Sequence, residues 1–172
     1  MQNKSVGIKK GNFEEHNIQP TFYFCAVIKN KTGMNLQMTH TTIYVLNQES
    51  AYDFYVNKLG FEVKTDIPMG TNMRWLTVSP KGQPDLEIIL MPVIEGMLFN
   101  KESAKAMAKL IKDSTLGFGV IKCKDVYAAY EELKSKGVVF KKEPRQSPFG
   151  IEAVLCDDSG NWFSLQQINS KK

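Results

Sequence analysis

The chain has 172 residues, 42% of them hydrophobic, and a formal net charge of +4, which suits one compact domain or two small modules sharing a core. No apolar run approaches the ~20 residues needed to cross a bilayer, and the patch TFYFCAVI (Thr21–Ile28) is short and lacks the flanks of a secretion signal, so a cytoplasmic protein with no membrane partner is expected. The excess charge lies in residues 1–33, where Lys4, Lys9, Lys10, Lys29 and Lys31 face only Glu14 and Glu15; the nearly neutral remainder has no basic–aromatic cluster, which leaves a nucleic-acid partner without support.

Residues 1–35 have weak periodicity and read as a flexible or loosely docked extension, with one added strand at Phe22–Ile28. Beyond it, MTHTTIYVL (38–46) alternates and is rich in β-branched residues, the pattern of a strand. Asn47 is placed to cap a helix whose Ala51, Phe54, Tyr55 and Leu59 form one stripe, and Gly60 ends it. Three strands follow, FEVKTDI, MRWLTVS and LEIILMPV, separated by the turn signals PMGTN and PKGQPD. Residues 36–95 therefore form a β-α-β-β-β module.

A linker at 96–114 contains the helix KESAKAMAKLIK, with Ala104, Met107, Ala108 and Ile111 on one face. The pattern then repeats over 115–168, ahead of a short tail at 169–172. LGFGVIKC is a strand, Asp125 a cap, and Val126, Ala129, Tyr130 and Leu133 a helical stripe ending at Gly137. VVFKKEP, GIEAVLC and NWFSLQQI supply three more strands, with SPFG (147–150) read as a hairpin connection. The two halves superpose at an offset of 78 residues at their caps and 77 at their closing glycines, so the first helix is one residue longer. Neither four-stranded half can bury both sheet faces alone, so the expected fold is α+β: paired βαβββ modules forming an eight-stranded cup.

Cys25, Cys123 and Cys156 are few, distant and free of CxxC spacing, which favours reduced thiols over a disulfide or zinc framework. No Gly-rich phosphate loop, HExxH or G-x-S-x-G occurs. His40, Thr42 and Tyr44 share one face of the first strand. Arg74 and Trp75 are strand neighbours, so only one faces the cup. An inward Arg74 would clamp a carboxylate or phosphate, and an inward Trp75 would offer a stacking wall.

HTTIYVLNQESAYDFYVNKLGFEV in the first module, with KDVYAAYEELKSKGVVF and EPRQSPFGIEAVLCDDSGNWFSLQQ in the second, resembles the vicinal-oxygen-chelate superfamily. That group holds glyoxalase I, extradiol dioxygenases, and the bleomycin- and fosfomycin-resistance proteins. DDSGN (157–161) stands where the family's closing segment reads DPDGN. The resemblance implies a glyoxalase-like cup, a homodimer and a small-molecule ligand.

In metal-using members each module offers one ligand from its first strand and one from its last. Carried over by position, these fall on His40 and Glu87 in the first module and on Phe118 and Ser164 in the second. The resemblance therefore implies an incomplete metal site at His40 and Glu87, since a catalytic metal needs about three protein ligands. No cofactor is expected, with a divalent ion as the alternative if further ligands come from elsewhere. Should His40 and Glu87 meet, the pair could act as a general base or simply close a cavity as a hydrogen-bonded polar pair. The candidate ligand-contacting residues are Tyr44, Arg74, Trp75, Phe118 and Ser164. Three functions follow as expectations: a small-molecule binder with a degenerate metal site and metal-independent proton transfer; a metal-dependent lyase or dioxygenase; and antibiotic sequestration without catalysis.

Overall fold

The alternating run of the first module becomes strand β1 (His40–Val45), and Asn47 caps α1 (Gln48–Tyr52) by accepting a hydrogen bond from Ser50 N. In the computed structural model, which describes residues 36–96 and 98–168, the elements continue as β2 (Glu62–Met69), β3 (Met73–Ser79), β4 (Glu87–Pro92), α2 (Lys101–Lys112), β5 (Gly117–Lys122), α3 (Val126–Ser135), β6 (Val139–Ser147), β7 (Gly150–Cys156) and β8 (Trp162–Ile168). The strand expected at Phe22–Ile28, the rest of residues 1–35, and the tail 169–172 lie outside the described residues.

Each module forms one mixed four-stranded sheet, ordered β1-β4-β3-β2 in the first and β5-β8-β7-β6 in the second. The first strand of each runs parallel to the last, and the other neighbours are antiparallel. The fold is thus α+β, two equivalent four-stranded sheets with three helices.

The extra residue of the first helix does not lengthen it as an α-helix. Asp53–Lys58 winds as a π-helix directly after α1, and Phe61 N reaches back to Tyr55 O at 2.9 Å. A π turn absorbs one added residue while keeping the flanking cap and glycine in place. Its consequence is local: Phe54 and Tyr55 are adjacent in sequence yet both buried.

The apolar residues of the helix-bearing sheet faces form one core. Ile43, Val45, Leu76, Val78 and Leu90 come from the first sheet, and Ala153, Leu155, Phe163 and Leu165 from the second. Full burial of side chains of this size stabilises by roughly 1.5–3 kcal/mol each, so both modules depend on the shared interior. Polar ties reinforce it. Leu46 N donates to Ser159 Oγ and Asn161 Nδ2 to Tyr44 O, each at 2.9 Å. Both link the C-terminal end of β1, at Tyr44 and the following Leu46, to the β7–β8 turn, which is the DDSGN segment.

Asp157 organises that turn. Its Oδ1 accepts from Ser159 N, Gly160 N and Asn161 N at 2.9 Å, and its Oδ2 from Tyr55 OH and Asn161 Nδ2 at 2.8 Å. Gly160 has φ +115°, and a Cβ there would stand 2.3 Å from Ile111 O. Only glycine fits between the turn and the end of α2.

Candidate functional site

Strand alternation divides the first sheet into two faces with different chemistry. On the face away from α1, His40 is the parallel partner of Glu87 and Thr77 the antiparallel partner of Ile89. His40 Nε2 lies 3.5 Å from Glu87 Oε2, and the same oxygen accepts a hydrogen bond from Thr77 Oγ1 at 2.7 Å. His40 Nδ1 is 2.9 Å from Thr39 Oγ1. The two side chains singled out in the sequence therefore meet, but at the surface: they retain 45% and 28% exposure. Thr77, fully buried, is the third member of this group, and the sequence reading missed it. Its spacing of two from Trp75 was the available signal.

Trp75, two residues from Thr77, shares the His40 face. Arg74 takes the α1 side. Its guanidinium lies 3.2 Å from Asp66 Oδ2 and 3.0 Å from Glu49 Oε1, and 5.6 Å above the Tyr52 ring. It is committed to holding α1 and β2 together. Tyr44, on the His40 face, packs edge-on against Phe99 with ring centroids 5.4 Å apart.

The second-module positions separate. Ser164 is the register partner of Val120 and Val154 and accepts a hydrogen bond from Gln166 Nε2 at 3.1 Å. Phe118 sits in a register shift between Gly117 and Gly119 and packs against Phe163, with centroids 6.3 Å apart. Phe163 and Ser164, as strand neighbours, point to opposite faces, so Phe118 and Ser164 do not converge. The flanking glycines were the sequence signal for this bulge. Among the described residues, no three His, Cys, Asp or Glu side chains form a group able to hold a metal ion. One imidazole and one carboxylate do not by themselves fit a resident divalent ion.

A half-open cavity lies on the other face of β1. It measures about 960 Å³ and opens between the modules, walled by Ile43, Tyr55, Phe61, Ile88, Phe118 and Phe163. Thr41, Gln83, Cys123, Gln167, Lys122 and Lys124 contribute its polar lining. Of the expected ligand-contacting residues only Phe118 is in this wall. His40 shares its face with Thr42 and Tyr44, whereas the cavity is lined by the alternate residues Thr41 and Ile43.

The wall is chemically quiet. Burial, aided by the carboxylates of Asp157 and Asp158, holds the Tyr55 phenol well above its usual range, so Tyr55 is a neutral donor committed to Asp157. Burial likewise raises the Cys123 thiol. Cys123 and Cys156 are both free. No helix among the described residues is long and apolar enough to cross a membrane.

Known proteins share this architecture. The family model for the Glyoxalase/Bleomycin resistance protein/Dioxygenase superfamily matches residues 37–165. YurT, an uncharacterised protein of Bacillus subtilis (strain 168), is 35% identical over 133 residues, spanning 77% of this chain and 99% of its own. The crystal structure of UcmS2 shows 45% identity and a TM-score of 0.73 over 78% of this chain and 99% of that one. TnmS3, an antibiotic binding protein from Streptomyces sp. CB03234, is 28% identical with a TM-score of 0.60, covering 78% and 98%.

Proposed function

The chain belongs to the glyoxalase/bleomycin resistance protein/dioxygenase superfamily, and we propose that it acts as a binder, holding a small, largely apolar organic molecule without converting it. The cavity of about 960 Å³ with its aromatic wall carries this reading. Its size and lining are those of small-molecule sites, where apolar walls supply affinity and a few polar groups fix orientation. The likeness to TnmS3 supports binding as the activity. So does the wall chemistry: a neutral, hydrogen-bonded Tyr55 and a protonated Cys123 offer neither a ready base nor a nucleophile.

In this reading no divalent ion takes part, and His40 and Glu87 serve as a surface polar pair steadied by Thr77. The protein is read as a cytoplasmic homodimer. Ile67 and Met69, on the Trp75 face of β2, are 57% and 41% exposed, an apolar area that a second copy would cover.

The test combines ligand-observed NMR against a panel of small aromatic compounds with elemental analysis of the purified protein. Saturable binding without consumption of the compound is expected, weakened in Phe118→Ala and in Thr41→Trp, which pushes a ring into the cavity. Conversion of the bound compound would replace the binder with an enzyme. Tight, stoichiometric Zn²⁺, Ni²⁺, Mn²⁺ or Fe²⁺ uptake, lost in both His40→Ala and Glu87→Ala, would establish the metal-dependent lyase or dioxygenase instead.

A further inference from the structure

We infer that Gln167 is the polar anchor of the cavity, a fixed NH₂ donor that selects flat aromatic guests bearing a carbonyl oxygen; the inference rests on the reading of this cavity as the binding site. Alternation along β8 turns Phe163, Leu165 and Gln167 to one face. The first two belong to the shared core, and Gln167, half-buried, borders the cavity together with Phe163. Lys122 also borders it, but as the register partner of Gln166 its side chain belongs to the opposite face.

The amide of Gln167 is held one way round. Its Oε1 accepts from Val126 N at 3.0 Å, and a backbone N–H only donates, so the oxygen end is the end at Val126. The capping carboxylate does not serve that N–H, because Asp125 Oδ1 accepts from Tyr127 N and Ala128 N. Val126 is fully buried, so a turned amide would orphan its N–H in the core. The NH₂ is therefore the end left to offer. Among the described residues no acceptor takes it, and it is not sealed in: the buried side-chain atoms without a partner are those of Arg74 and Asn161.

The other polar groups at the cavity set no such direction. The Thr41 hydroxyl can give or accept, the Cys123 thiol is a weak donor, and the side chain of Gln83 is exposed with no bond to hold either end of its amide. Asp85, beside the lining residue Leu86, is exposed on the β3–β4 loop. Tyr55 spends its proton on Asp157. Rings supply the frame: Phe118 and Phe163 stand 6.3 Å apart at 35°, and Tyr55 packs at 6.0 Å against Phe61, walls that suit a planar guest. A carbonyl oxygen on that guest pairs the Gln167 NH₂. A guest without one leaves the donor unpaired against apolar surface, which is how a polar group in a site discriminates.

Two naphthalenes of one shape isolate the oxygen: 2-acetonaphthone, a ketone, and 2-isopropenylnaphthalene, in which CH₂ replaces that oxygen. Each is titrated into ¹⁵N-labelled full-length protein and into Gln167→Glu, which keeps an acceptor for Val126 N and loses the donor. Shifts at the Phe118 and Phe163 amides report the cavity. The side-chain NH₂ signals of Gln167, assigned through its own backbone, report the bond. The ketone should move them downfield relative to the alkene, and the ketone-to-alkene affinity ratio should fall roughly threefold or more in the variant. Equal movement of the NH₂ signals with both compounds, or an unchanged ratio in the variant, would overturn the anchor while leaving cavity binding intact. Should Gln167→Glu fail to fold, the NH₂ comparison in the parent protein decides alone. Absence of shifts at Phe118 and Phe163 with both compounds would overturn both readings.

Discussion

Asp157→Asn is the most informative single change, because this carboxylate joins the β7–β8 turn to the π-helix of the other module. The side chain is nearly isosteric, so packing is preserved and hydrogen bonding alone is perturbed. Asp157 is 6% exposed and accepts five hydrogen bonds, three from backbone N–H groups on Oδ1 and two from side chains on Oδ2. An asparagine can keep its oxygen on the three backbone donors. Its amide nitrogen then confronts Asn161 Nδ2, donor against donor, and can only reverse the bond to Tyr55.

Hydrogen bonds to charged groups stabilise by about 1.5–3 kcal/mol and neutral ones by about 0.5–1.5 kcal/mol. One bond is lost, one reversed, and three lose their charge assistance. Relief from burying the ion offsets part of the total. The expected net destabilisation is about 3 kcal/mol, or roughly a 10 °C fall in Tm. Urea unfolding followed by circular dichroism and tryptophan fluorescence measures it, with an unchanged m-value showing that the native state stays compact.

Asp158→Asn is the control. That neighbour is 31% exposed and pairs with Lys58 at 3.3 Å, so its loss should cost no more than about 1 kcal/mol. The Tyr55→Phe/Asp157→Asn cycle should show a coupling of about 1 kcal/mol or more. If Asp157→Asn falls within about 0.5 kcal/mol of the parent, or matches Asp158→Asn, the turn does not fasten the modules.

Gly160→Ala should destabilise by at least about 2 kcal/mol, since it adds strain at φ +115° to a Cβ contact with the Ile111 carbonyl; chemical denaturation reads this directly, and a neutral outcome would show that α2 can move aside. The Tyr55 pKa is raised by burial and by Asp157 and Asp158, so the stability it contributes is complete below the ordinary tyrosine value near 10 and is lost as pH rises through the folded value. Between about pH 9 and 12 the parent should therefore lose stability more steeply than Tyr55→Phe, and superimposable profiles would refute the assignment. Because burial raises the Cys123 thiol, alkylation by iodoacetamide should be slow at pH 7 and accelerate above about pH 9. A bound cavity ligand should slow it further, as read by peptide mass mapping; unchanged labelling at saturating ligand would place that ligand elsewhere.

The fold was legible because its signals are local and repeated. Asn47 and Asp125 as caps, Gly60 and Gly137 as stops, and the stripes Ala51–Phe54–Tyr55 and Val126–Tyr130–Leu133 each follow from periodicity, and each is where the structure places it. The site was less legible for three physical reasons. A one-residue excess announces a longer helix but not a π turn, so the burial of both Phe54 and Tyr55 was hidden. A strand's period of two tells which residues share a face, but not which face encloses space; His40 and Thr41 are equally good candidates until the modules are packed. Counting back from a cap carries Phe118 onto the His40 position, yet the bulge between Gly117 and Gly119 turns its ring toward Phe163 and away from Ser164. Arg74 and Trp75 could be divided only once the position of α1 was known.

The closing segment separates two properties that the family resemblance presents together. DDSGN is what makes the second module recognisable, and its side chains are spent on architecture: Asp157 gathers the turn, Gly160 lets it approach α2, Ser159 and Asn161 tie it to β1. None of these bonds involves Ser164, three residues further on, where a metal-using relative would place a carboxylate. The fastening of the modules and the chemistry on the strand faces therefore rest on different residues. A chain can keep the first in full while its ligand positions hold a phenylalanine and a serine. What remains open to such a chain is whatever the fastened modules border, and here they border a half-open aromatic cavity on the face of β1 opposite His40.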